Sequence, residues 1–155
     1  MRERTVTTFL SSYNNKVDKK GRVSVPADFR MELAAQSRAM IVVFASPDEG
    51  FLYAWGYDDF LKFAERIKKI PAMSPERQRL GRSILAAARP LPMDAEGRII
   101  LPEPFLAVAS IDEAALFAGM GDYFTIWNPD RYASKQSEDM THFIRDVESL
   151  SHQED

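Results

Sequence analysis

Residues 8–17 and 22–25 are rich in β-formers and are separated by Asp18-Lys19-Lys20-Gly21, so the pattern predicts strand, tight turn, strand. Asp opens such a turn through its side chain, and Gly supplies the positive φ that closes it. Pro26 offers no N–H to a ladder and ends the second strand. Phe29 and Leu33, one helical turn apart, predict a short helix with a buried face. Ala39–Ala45 is wholly apolar apart from its backbone, a short strand, and Ser46-Pro47-Asp48-Glu49-Gly50 is a turn into a returning strand at Phe51–Trp55. Asp58 and Asp59 cap a helix that carries Phe60, Leu61, Ala64 and Ile67 on one side and stops at Pro71. Ser74-Pro75-Glu76 starts another, with Ser at the cap and Pro in the first turn.

The second half repeats the first. Asp18, Gly21, Arg22, Pro26 and Phe29 recur as Asp94, Gly97, Arg98, Pro102 and Phe105 at a constant offset of 76. Phe51-Leu-Tyr-Ala-Trp55 then answers Tyr123-Phe-Thr-Ile-Trp127 at an offset of 72, so the second copy has a loop four residues shorter. A long-period echo fixes the building unit before any single element. Ser83–Met93 therefore leads into the Asp94–Gly97 turn, followed by a strand at Arg98–Leu101, a short helix from Pro104 and a hairpin through Gly119–Asp122 to Trp127. A last helix from about Asp130 places Tyr132, Met140, Phe143, Ile144, Val147 and Leu150 on one stripe, and 151–155 reads as a polar tail.

Composition changes this picture in three ways. A module of roughly 50 residues is marginal as a lone core, so two must share one, within the chain or with neighbouring chains. There is no cysteine to staple either module or to bind metal. No run of 18 apolar residues exists, and the start, Arg2-Glu3-Arg4, lacks a signal-peptide core, which predicts a soluble, cytoplasmic protein. The net charge is only −3, yet residues 1–82 hold 15 Lys/Arg against 10 Asp/Glu, and residues 83–155 hold 5 against 13. A basic front suits a phosphate-bearing partner, and ordinary surface variation would give the same split.

The sharpest candidate is the Asp-x-x-Gly-Arg turn. Both copies keep Asp, Gly, Arg, Pro and Phe, which shape a turn and its exit. Only the first carries Lys16, Lys19 and Lys20 with Arg30 on the following helix; the second has Pro92, Ala95, Glu96 and Leu106 there. Shared residues read as structural, and the first-copy cations read as functional. Cations on a turn and helix start suit phosphate contact, and the planar fork of Arg22 suits a base edge. Trp55 and Trp127 end apolar strands at equivalent positions and read as core rather than base-stacking platforms. Arg77, Arg79 and Arg82 diverge around their helix, a solvated face or a subunit contact. His142 near Asp139 and Asp146 reads as solvated rather than as a metal site. No nucleophile–base set, phosphate cradle or zinc-protease motif occurs, so an enzyme is not expected.

The run Val17-Asp-Lys-Lys-Gly-Arg-Val-Ser-Val-Pro26, followed by a short helix, resembles the AbrB-type swapped-hairpin DNA-binding module. Two copies in tandem over about residues 8–145, each with Asp-x-x-x-Arg, resemble the MraZ family of bacterial transcriptional regulators. The resemblance implies an α+β, mostly β fold in which modules at 8–57 and 82–130 interleave into one β-barrel-like unit, with bridging helices at 58–81 and a C-terminal helix at 131–150. It implies a ring-shaped homo-oligomer, nucleoid-associated and without cofactor. Such a ring would bind repeated operator boxes in double-stranded DNA and repress the division and cell-wall gene cluster. Asp18, Arg22, Asp94 and Arg98 are then the signature turns, and Lys16 and Arg30 join the phosphate contacts. Glu96 departs from that pattern in the second turn. An antitoxin-like module with a protein partner and a ring scaffold without DNA are the rival readings.

Overall fold

The computed structural model describes residues 7–152; the start at Arg2-Glu3-Arg4 and the last three residues of the tail lie outside them. The first half runs β1 (Ser12–Lys16), β2 (Arg22–Ser24), α1 (Ala27–Leu33), β3 (Met40–Ser46), β4 (Phe51–Gly56) and α2 (Tyr57–Lys68). Helix α3 (Pro75–Leu80) continues into a π-helical turn at Gly81–Leu85. The second half runs β5 (Arg89–Pro92), β6 (Arg98–Ile100), α4 (Glu103–Ala109), β7 (Ala114–Gly119), β8 (Phe124–Trp127), α5 (Pro129–Met140) and α6 (Phe143–Leu150).

The halves exchange strands. Six strands form one sheet in the order β1-β7-β8-β4-β3-β5, and β2 pairs with β6 in a separate two-stranded ribbon. Thus β1 leaves its own half to pair with β7, Ser12 opposite Ala118 and Lys16 opposite Ala114. In return β5 pairs with β3, Ile41 opposite Leu91. The order reads as a pseudo-twofold about the β4–β8 pair, which maps each element onto its repeat. Across the first turn β1 and β2 share an isolated Val17–Val23 bridge and a bond from Asn15 Nδ2 to the Ser24 carbonyl at 2.7 Å, while both strands find their ladders in the other half.

The exchange is what gives two small modules one core. A single cluster takes Phe9, Phe29 and Leu33 from the first half and Ile99, Phe105, Phe117 and Phe124 from the second. On the other side of the sheet α2 covers Val42, Phe44 and Trp55 with Phe60 and Ala64, while Tyr132 of α5 packs on Phe51 and Trp127. Both tryptophans are therefore core, with 8% and 6% of their surface exposed.

Both sheets are open and close no barrel among the described residues. The edges are blunted instead: β1 carries Asn14, Asn15 and Lys16, and β5 carries Pro90 and Pro92, which leave no N–H for a further strand. The expected strand over 8–17 is shorter, because Ser11 turns to φ 75° and leaves Phe9 paired alone with Gly121. The expected final helix is two helices. Thr141 N–H and His142 N–H bond back to Glu138 and Asp139, three residues away, and the Thr141 hydroxyl also donates to the Glu138 carbonyl at 2.7 Å. That tightening breaks the regular ladder. Tyr132 packs against the body, whereas Met140, Phe143, Ile144, Val147 and Leu150 are exposed. No helix among the described residues is long and apolar enough to cross a membrane.

Candidate nucleic-acid interface

The ribbon places the two signature turns at opposite ends of one small surface. Arg22 pairs with Ile100, Val23 with Ile99 and Ser24 with Arg98. Strand alternation sends Val23 and Ile99 inward, each 1% exposed, and leaves Arg22, Ser24, Arg98 and Ile100 outward. Arg22 and Arg98 are thus diagonal neighbours on one face. The antiparallel pairing extends into each turn, Val25 N–H donating to the Gly97 carbonyl and Leu101 N–H to the Gly21 carbonyl, both at 2.9 Å.

Each turn is organised by its aspartate. Asp18 Oδ1 accepts from the N–H groups of Lys20 and Arg22 at 2.9 Å, and Oδ2 accepts from Arg22 Nε at 2.8 Å. Asp94 repeats this with Glu96 N–H, Arg98 N–H and Arg98 Nε, all at 2.9 Å. Gly21 and Gly97 stand at φ +86° and +80°, where a side chain is strained. The Arg22 side-chain bond, with the backbone bond behind it, holds the Asp18 carboxyl at about 2. Asp94 is also lowered, first by the Arg98 N–H and then by the Arg98 side chain. The aspartates thus stay ionised and aim the two guanidinium groups through Nε alone.

The turns differ in what remains. Arg22 has no further partner among the described residues, so the Nη edge of its fork is open. In the second copy Arg98 Nη2 is taken by Glu96 Oε1 at 2.7 Å. Those carboxylates, Asp94 first, raise the Arg98 pKa. The two side chains are almost equally exposed, 37% for Arg22 and 35% for Arg98, so the difference lies in pairing: Arg22 is held through Nε alone and Arg98 through Nε and Nη2.

Other sequence candidates are redistributed. Lys19 and Lys20 are exposed on the first turn, and Lys16 is exposed at the end of β1. Arg30 does not join them: its Nη1 donates to the Val25 carbonyl at 2.8 Å, and its guanidinium lies across Gly97, at the second turn. Its repeat partner Leu106 packs by Gly21, which makes the crossing reciprocal. Three groups near the site were not singled out from sequence. Ser24 and Ile100 share the outward face with Arg22, and period-two alternation from Arg22 would have placed Ser24 there. A cavity of about 630 Å³ beside Lys19 is walled partly by Glu103, Asp112 and Glu113, acidic residues that the fold alone brings to the basic turn. No group of acidic, His or Cys side chains that could hold a metal ion occurs among the described residues.

The family model described as "MraZ protein, putative antitoxin-like" matches residues 8–83 and again 84–150. The chain belongs to the MraZ family. Among curated relatives it is 40% identical over 124 residues to "Transcriptional regulator MraZ" of Rhodospirillum rubrum, covering 78% of this chain and 79% of that protein. The protein of the same name from Hyphomonas neptunium is 36% identical over 129 residues, 83% of this chain and 77% of its own length. That of Rickettsia akari is 35% identical over 127 residues, 82% and 85%. The double match coincides with the pseudo-twofold of the fold.

Proposed function

We propose that this MraZ-family chain is a transcriptional regulator that reads double-stranded DNA with the outward face of the β2–β6 ribbon. A two-stranded antiparallel ribbon fits the major groove of B-DNA, where base edges are distinguishable. Arg22 carries the reading: Asp18 fixes its Nε, which leaves the Nη edge free to approach a guanine. Ile100, 57% exposed beside it, suits a thymine methyl. Lys16, Lys19 and Lys20 at one end, and Arg30 at the other, supply phosphate contacts that set position. Arg98, tied to Asp94 and Glu96, orders its turn rather than reading a base. The names of the relatives support the regulatory role. We place the chain in a ring-shaped homo-oligomer on the nucleoid that engages repeated operator boxes and represses the division and cell-wall gene cluster.

The test is a gel shift on DNA from upstream of the protein's own gene cluster, run with sedimentation. Arg22→Ala loses sequence-specific binding, a bidentate base contact being worth about 1–3 kcal/mol per site, and keeps its assembly. Lys19→Ala with Lys20→Ala weakens binding to all sequences alike and lowers the slope of log affinity against log salt by up to about 2 per engaged site. Normal binding by the Arg22 variant, or its collapse, defeats the assignment.

A further inference from the structure

The β2–β6 ribbon has its own pseudo-twofold at the Val23–Ile99 pair, which exchanges Arg22 with Arg98 and Ser24 with Ile100. The two turns obey it: Asp18 and Asp94 make the same three bonds, and Gly21 and Gly97 take up nearly the same φ. One side chain breaks it. Where the first turn has Lys20, with no side-chain partner among the described residues, the second has Glu96, whose carboxylate turns back onto Arg98 Nη2.

The fold does not need this carboxylate. Glu96 is exposed, and an exposed ion pair adds little to stability. The turn itself is held by the N–H groups of Glu96 and Arg98 on Asp94, which any side chain at position 96 allows. What Glu96 changes is the arginine fork. A bidentate contact to guanine takes two N–H groups from one edge of a guanidinium. Arg22 keeps Nη1 and Nη2 together, whereas Arg98 has Nε engaged by Asp94 and Nη2 by Glu96, so each of its paired edges has lost a nitrogen. Opening the Glu96 pair inside a groove would leave a carboxylate beside phosphates in a site emptied of water, where a lone charge is costly. The pair is thus weakly held in the free chain and firmly held under DNA. This end of the ribbon is also within reach of the duplex in the reading above, because Arg30 lies across Gly97 and brings a phosphate there.

We propose that Glu96 is a specificity-determining residue: its carboxylate withholds Arg98 from the base edges, so that a ribbon carrying two equivalent arginines reads with one. The inference rests on the DNA reading proposed above and names what restricts it. Base pairs that face the second turn go unread, and removing one carboxylate opens a second guanine contact, related to the first by the twofold of the ribbon. Arg98 needs no rearrangement for this, since Asp94 already tethers its Nε as Asp18 tethers that of Arg22.

Selection from a pool of random-sequence duplexes, followed by gel-shift titration of the selected ones, tests this on the full chain. The wild type is compared with Glu96→Ala and with Glu96→Ala combined with Arg98→Lys, which keeps the charge and loses the fork. Glu96→Ala keeps the wild-type motif and gains a guanine at one further position, where a mismatch lowers affinity by about 5- to 150-fold. The double variant loses that added position and keeps the original motif. Thermal unfolding of Glu96→Ala coincides with that of the wild type. An unchanged motif, even one bound more tightly on all sequences alike, puts Arg98 out of reach of the bases and overturns the proposal. So does an added preference that survives Arg98→Lys, or a lowered melting temperature, which would make Glu96 a structural residue. Loss of a wild-type preference in Glu96→Ala would make Glu96 itself a reader, of a cytosine amino group, and overturns it too. All these outcomes leave the Arg22 reading standing, whereas a wild type that selects no motif removes both.

Discussion

The Arg30 guanidinium lies across Gly97, at the turn of the opposite half, so that a Cβ on Gly97 would stand 2.8 Å from Arg30 Nε. The reciprocal turn is tighter in kind. A Cβ on Gly21 would stand 2.7 Å from the carbonyl oxygen of Leu101, a backbone atom held in the ribbon. Two glycines that look equivalent in sequence thus face a yielding neighbour and an unyielding one.

Gly21→Ala is therefore expected to destabilise more than Gly97→Ala. Both suffer the left-handed backbone, roughly 1–2 kcal/mol for a residue with a Cβ. Arg30 can swing away from the second site at the loss of its bond to the Val25 carbonyl, whereas Leu101 can move only by opening the β2–β6 pairing. Urea unfolding at one fixed protein concentration measures both, and equal losses would show that the Leu101 contact relaxes freely.

The turns carry a pH signature in acid. Asp18 titrates at about 2, below its usual 3.8, because ionisation is favoured by Arg22 in the folded chain. A group with a depressed folded pKa contributes stability that is full above its unfolded pKa and fades as pH falls through the folded one. The contribution of Asp18 is thus present above about pH 4 and lost towards pH 2. Carbon-detected titration of the side-chain carboxyl should give that midpoint in the wild type, and one shifted back towards the ordinary carboxylate range in Arg22→Ala. A midpoint that ignores the Arg22 substitution would show that backbone bonds alone set it.

Thr125 is 3% exposed and supplies the only oxygen bonded to the Trp127 indole N–H among the described residues. Thr125→Val keeps the shape and strands that donor, which costs about 1–3 kcal/mol. Thr125→Ser keeps the oxygen and loses one methyl, about 0.8 kcal/mol. Thermal unfolding of the pair should rank them in that order, with the reverse order pointing to packing as the role of Thr125.

What the chain declares by itself is local or periodic. The duplicated unit follows from the Asp-x-x-Gly-Arg echo, and each turn follows from an aspartate bonded within four residues of itself. The start of α3 follows in the same way, with Ser74 Oγ accepting from Arg77 N–H at 3.2 Å. The β3–β4 and β7–β8 hairpins join neighbours in sequence, so short loops decide them. Strand exchange is different in kind. The donors and acceptors along β1 suit any partner edge equally, and only the joint burial of Phe9, Phe29, Phe117 and Phe124 selects β7 over β2. Everything downstream of that choice was decided by tertiary structure: the β2–β6 ribbon with Arg22, Ser24, Arg98 and Ile100 on one face, Arg30 at the opposite turn, and Glu103, Asp112 and Glu113 beside Lys19. The break at Thr141–His142 is local as well, the Thr141 hydroxyl and N–H both bonding back to the Glu138 carbonyl, although the continuous apolar stripe favours one helix. Spacing along a chain encodes turns and periods, and the partner of a strand is encoded only in the core that the whole chain builds.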